Sequence, residues 1–236
     1  MARRLSVTRS SPLALATRRG LAEAADPERA TGMQAYMKSS MPYRGVMSKP
    51  LRAICKRIFA EHPLETCEEW QAAVLELWRG ARFREERYVA IELTGLSRHR
   101  SCQTPAVIPM YEEMIVSGAW WDYVDGIASD RMGGLLRSHP KQLRPLMLRW
   151  SRDANLWKRR TSIICQISFK RETDLELLYA CIGPNLADKD FFIRKAIGWA
   201  LRSYAWTDPN EVARYVHEHE AQLSGLSRRE ALKNIG

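Results

Sequence analysis

The 236 residues contain no apolar run longer than a handful of residues, so the sequence offers no transmembrane helix. Gly (13) and Pro (11) are too few for a fibrous chain, and the 45% apolar content is too high for a disordered one. Cysteine is sparse and odd in number: Cys55, Cys67, Cys102, Cys165 and Cys181 are widely spaced, with no C-x-x-C pair. That spacing argues against a disulfide framework and against a thiolate metal site. The expectation is a reduced, cytoplasmic protein that uses Cys as a small apolar residue. G-x-x-x-x-G-K-[ST], G-x-G-x-x-G and H-E-x-x-H are all missing, so NTP hydrolysis, Rossmann chemistry and zincin chemistry are poor readings. No cofactor and no metal are expected. Strand signals are nearly absent too, with no alternating run and no Asn-Gly hairpin.

What is abundant is positive charge and tryptophan. Lys plus Arg number 37 against 27 acids, a net charge of +10, and there are 8 Trp. Cations neutralise phosphates and flat rings meet sugars or bases, so this balance suits a nucleic-acid partner. A cationic surface over a Trp-rich core is the plainer alternative. Residues 1–20 hold Arg3, Arg4, Arg9, Arg18 and Arg19 and no acid. They read as a flexible basic N-terminal arm preceding one domain over 21–236; a mitochondrial presequence has similar composition.

Helix punctuation is frequent. Thr66 with Glu69 forms a capping box ahead of the stripe Trp70, Val74, Leu77 and Trp78, and Gly80 closes it. Thr104-Pro105 opens a helix that Pro109 kinks or delays, Asp208-Pro209 opens another, and Ser227 with Glu230 opens the last. The spacing predicts helix pairs at 27–40 and 48–62, 66–79 and 84–98, and 104–117 and 120–135. Further pairs are predicted at 139–151 and 154–170, 173–186 and 189–205, and 208–218 and 227–235. A helix pair about every 35 residues gives an all-α solenoid of about six HEAT-like pairs with a concave face; a compact helical bundle is the alternative.

Three segments stand out. In Trp120-Trp121-Asp122-Tyr123-Val124-Asp125, Trp121 and Asp125 share a helical face at i and i+4, while Trp120 and Val124 lie on a neighbouring stripe toward the core. Asp122, in the first turn, suits the helix dipole; Asp125 has no equally simple structural task. Lys158, Arg159 and Arg160 place three successive cations where they oppose a helix dipole, which suggests phosphates at that end or a solvated turn. In Phe191 to Arg202, Trp199 lies off the apolar stripe, flanked by Lys195 and Arg202 and bordered by Arg194. A carboxylate, two Trp and a field of cations, with no evident nucleophile–base pair, suit a reaction through a cationic sugar centre.

Tyr36-Met37-Lys38, Trp120-Trp121-Asp122-x-Val124-Asp125 and Trp157 with Arg160 together resemble the AlkD family of DNA alkylation repair glycosylases. So do Phe191-Phe192-Ile193-x-Lys195-Ala196-Ile197-Gly198-Trp199-x-Leu201-Arg202 and Ser227-x-Arg229-Glu230-Ala231. The resemblance runs from about residue 20 to the end. It implies a HEAT-like solenoid that wraps duplex DNA and hydrolyses the N-glycosidic bond of cationic N3- and N7-alkylpurines, without a base-flipping pocket and so with tolerance of bulky adducts. Asp125 matches the carboxylate that stabilises the sugar cation and places the water. Trp121 and Trp199 match the aromatics that pack on the sugar, Arg160 matches the Arg on the adjacent backbone, and Tyr36 matches a further aromatic. Lys158, Arg159, Arg194 and Arg202 are expected to add DNA contacts. The charge density of Lys158-Arg159 departs from the family pattern. A monomer on alkylated duplex DNA is expected; a catalytically silent DNA-binding or protein-interaction scaffold is the alternative.

Overall fold

Eight of the α-helices among the described residues start where a short polar side chain accepts free N–H groups of the first turn. In the computed structural model, which describes residues 10–235, Thr66 accepts from the Glu69 amide while the Glu69 carboxylate accepts from the Thr66 amide. The side chains of Asp26, Asn155, Asp174, Asp190 and Asp208 accept first-turn amides of other helices, without the reciprocal bond. Among the described residues there are fourteen α-helices and no strand. Their contacts cluster into two units, one ending at Cys102 and one beginning at Gln103, where the sequence suggested a single domain.

The first unit holds α1 (Pro12–Glu23), α2 (Pro27–Met37), α3 (Ser48–Glu61), α4 (Cys67–Arg79), α5 (Arg84–Thr94) and a 3₁₀ turn at Ser97–Cys102. The first helix falls inside the expected basic arm. Ser11 caps it, Pro12 starts it, and Leu13, Ala14, Thr17, Gly20 and Leu21 are buried where it packs on α3, α4 and α5. An apolar stripe at i, i+1, i+4, i+7 and i+8 outweighs the basic composition, which rides on the outer face. Residues 1–9 of the expected arm lie outside the described residues. Arg18 ties this helix down through the Gly80 carbonyl (3.0 Å) and Glu86 (3.6 Å).

A second correction concerns cysteine. Cys67, the first residue of α4, is disulfide-bonded to Cys102, 35 positions away. Spacing could not reveal it, because the 3₁₀ turn after α5 brings the two Cα atoms to 5.4 Å. Cys55, Cys165 and Cys181 are free and buried, as expected for apolar Cys. Burial pushes the Cys55 and Cys181 thiols up to about 12, so they are inert.

The second unit holds α6 (Ile108–Gly118), α7 (Trp121–Gly126), a π-helical turn (Ile127–Met132), α8 (Gly133–Ser138), α9 (Pro140–Trp150) and α10 (Leu156–Ile164). It continues with α11 (Leu175–Ile182), α12 (Phe191–Ala205), α13 (Pro209–Glu218) and α14 (Gly225–Ala231). In both units helices pack on chain neighbours and on the helix two places along, the layering of an α-solenoid. The element expected at 120–135 is split by the π turn. Gly133 passes under the Cys165 carbonyl, where a Cβ would sit 2.4 Å away, and that contact suits a break better than a regular helix. Pro109 delays α6 to Ile108. The last helix starts at Gly225 with Ser224 as its cap, two residues before the expected start.

Candidate functional site

A two-bond ion pair in the second unit joins α7 to α10. α7 enters from an extended Trp120 after a left-handed Ala119, so the chain turns sharply and Trp121 begins the helix. Asp125 lies in its last turn, against the π turn, where the Ser129 hydroxyl donates to the Asp125 carbonyl at 2.8 Å. Such π turns recur at functional sites because they re-aim neighbouring side chains.

On α10, Asn155 accepts from the amides of Trp157 and Lys158 and fixes the first turn. Arg160 therefore points inward, its side chain only 6% exposed. Its Nε and Nη2 donate to the two Asp125 oxygens, both at 2.7 Å, and its Nη1 donates to the Phe192 carbonyl at 2.5 Å. Burial pushes the Asp125 carboxyl above its ordinary range; hydrogen bonding and charge from Arg160 oppose that rise, and Asp122 adds to it.

An aromatic wall stands over this pair. Phe192 lies edge-on to Trp120 at 5.3 Å and tilted to Trp157 at 5.1 Å, with the Arg160 guanidinium 6.0 Å from its centre. Phe191, exposed, meets Phe192 at 5.5 Å. The Trp120 indole N–H is buried without an acceptor among the described residues, a cost of about 1–3 kcal/mol. Sequence reasoning placed Trp120 only toward the core and gave Phe192 no separate role. The doubled Trp and the doubled Phe were the available signals.

The expected phosphate contacts divide. Lys158 pairs with Glu112 (2.6 Å) and Asp153 (2.8 Å); Arg159 pairs with Asp188 (3.0 Å) and the Asp153 and Ala154 carbonyls. Acids of this chain thus offset the cations that oppose the α10 dipole. Arg202 and Lys195 both pair with Glu230 of α14. Arg194 has no carboxylate partner among the described residues; its Nε reaches the Asp190 carbonyl at 3.4 Å. Trp121 and Trp199 are half-buried, and Trp199 leans on the α12 core. Tyr36 lies on α2 of the first unit, 78% exposed.

Among the described residues no group of three or more His, Cys, Asp or Glu could hold a metal ion, and no helix is long and apolar enough to cross a membrane. The sequence profile of a family described as DNA alkylation repair enzyme matches residues 17–235. The solved structure of a predicted DNA alkylation repair enzyme from Enterococcus faecalis superposes with a TM-score of 0.78. It is 28% identical and covers 90% of this chain and 97% of its own. The comparison with curated proteins gives no match.

Proposed function

Because the chain belongs to the DNA alkylation repair enzyme family, we propose that it is a monofunctional DNA glycosylase acting on cationic N3- and N7-alkylpurines in duplex DNA. The observation that carries the reading is Asp125: a largely enclosed carboxylate, its side chain 16% exposed, held by the two-bond grip of Arg160 beside an aromatic wall. A buried acid drifts toward its neutral form, and a paired guanidinium opposes that drift. Arg160 thereby favours the ionised form of Asp125 where water is scarce.

An alkylpurine already carries positive charge. When its bond to the sugar breaks, the bonding electrons return to the base, which leaves neutral. The sugar carbon becomes cationic. Asp125 stabilises that charge and orients a water; the water oxygen bonds to the carbon and its proton passes to Asp125 or solvent. The products are the free base and an abasic sugar, with no cofactor needed to balance the step. Trp121 and Trp199 supply faces for the sugar, whose developing cation their quadrupoles favour. Arg194 is the α12 cation best placed to meet a phosphate.

The test is methylpurine release from N-methylated duplex, measured by mass spectrometry beside Asp125→Asn. Release by the native protein alone supports the reading. DNA binding with no release would favour a silent DNA-binding scaffold, and equal release by both proteins would put the chemistry on another residue.

A further inference from the structure

The C-terminal helix α14 touches α12 more closely than ordinary side chains permit. A Cβ on Gly198 would lie 2.4 Å from the Glu230 Cβ and 2.9 Å from the Ser227 carbonyl oxygen. The buried Ser227 hydroxyl donates to the Arg194 carbonyl at 3.0 Å, and Ala231 is fully buried against α12. This approach carries the Glu230 carboxylate between two cations: one oxygen takes Lys195 at 2.9 Å and the other takes Arg202. Lys195 and Arg202 are the residues four before and three after Trp199, so the clamp lies along the edge of the Trp199 face.

We propose that Glu230 is a positioning residue that holds Lys195 and Arg202 off the DNA phosphates and so limits the affinity of the Trp199 face for undamaged duplex. Two cations and one anion leave a net single charge there. All three side chains are at most 35% exposed, and Lys195 and then Arg202 hold the Glu230 carboxyl below its ordinary range, so the clamp is intact at neutral pH. Each cation freed to meet a phosphate would release one condensed counterion on any sequence, damaged or not. A repair enzyme that must leave intact DNA gains discrimination by keeping such cations occupied. The inference rests on the glycosylase reading for its purpose, but its observable is DNA affinity alone.

The experiment measures affinity of the full chain for undamaged duplex between 50 and 200 mM salt. Glu230→Gln frees one or both cations. The log–log salt slope should steepen by about 0.9–1.8, which enlarges the loss of affinity across that interval by about 3- to 12-fold. Lost packing alone would weaken binding without steepening the slope, so an unchanged or shallower slope overturns the proposal. Lys195→Gln provides a second arm should the first variant fail to fold. Its slope should equal that of the native chain, whereas a slope shallower by about 0.9 would place Lys195 on a phosphate and overturn the proposal. Excision of methylated duplex measured alongside separates the two readings. A steeper Glu230→Gln slope without native excision sinks the glycosylase and keeps the clamp; native excision with an unchanged slope does the reverse.

Discussion

Asp125 and Arg160, 35 residues apart in sequence, meet through two parallel hydrogen bonds of 2.7 Å, the fork-to-carboxylate geometry only arginine provides. A third donor of the same guanidinium holds the Phe192 carbonyl at the head of α12. One buried side chain therefore links α7, α10 and α12, and the charge of Asp125 depends on it.

Asp125→Asn keeps the shape and an acceptor but removes the charge. Excision of methylpurine should fall by about 10²–10³-fold, the usual cost of removing one electrostatic stabiliser. Duplex affinity should stay within about threefold, because Asp125 faces Arg160 rather than phosphate. Single-turnover release and equilibrium binding check the two halves separately.

Arg160→Gln should move the acid limb of the pH–rate profile to higher pH. Burial raises the Asp125 carboxyl and Arg160 opposes that rise, so removing the cation raises it further. Excision needs the ionised carboxylate and declines as pH falls through the raised value. Stability runs in the other sense: a raised acid favours folding at low pH and loses that contribution as pH rises through the folded value. The variant should thus be most destabilised above the limb, by about 3 kcal/mol, where a charged Asp125 is left unpaired. Rate profiles and thermal unfolding on both sides of the limb decide it; an unmoved limb would remove Arg160 from this role.

Trp199→Ala should lower kcat/KM by about 10- to 100-fold, the range for losing one stacking face at about 1–3 kcal/mol, while Trp199→Phe should recover most of it. Equal losses for both would indicate a packing role instead.

Gly198→Ala should destabilise the second unit by about 2–3 kcal/mol, since the added methyl meets the Glu230 Cβ and the Ser227 backbone rather than a movable side-chain tip. Denaturant unfolding measures it, and a neutral result would mean α14 shifts without cost.

The disulfide closes a loop of 35 residues in the first unit, a constraint of about 3–4 kcal/mol on the unfolded chain. Cys102→Ser or added dithiothreitol should lower the melting temperature, and a melt unaffected by reductant would contradict the bond.

The local architecture was written in local signals. The Thr66–Glu69 box, the Asp208-Pro209 start and the Asn155 cap act within four residues, and a stripe at helical spacing buries itself wherever a neighbour is offered. The order of the helices could therefore be read from the chain, whereas the roles of Asp125, Trp121 and Trp199 are implied only by the resemblance of their motifs. At the first helix the two local signals disagree: its composition is basic while its periodicity is apolar, and the periodicity prevails. The pairing of the basic run Lys158 to Arg160 is only partly local: Asp153 stands five residues from Lys158, but Glu112, Asp188 and Asp125 stand 29–46 residues from the cations they meet.

The sequence by itself determined that this is an all-helical, cationic chain carrying the motifs of an alkylation repair family. Helix formation, capping and residue identity are short-range properties. Only the tertiary structure decided which charges are spent inside the protein and which cysteines are joined. It also decided that Gly198 on α12 lets the Glu230 carboxylate sit between Lys195 and Arg202. Charge pairing and close packing depend on distances in space, and two residues three turns or forty positions apart leave no mark of their meeting in the order of the chain.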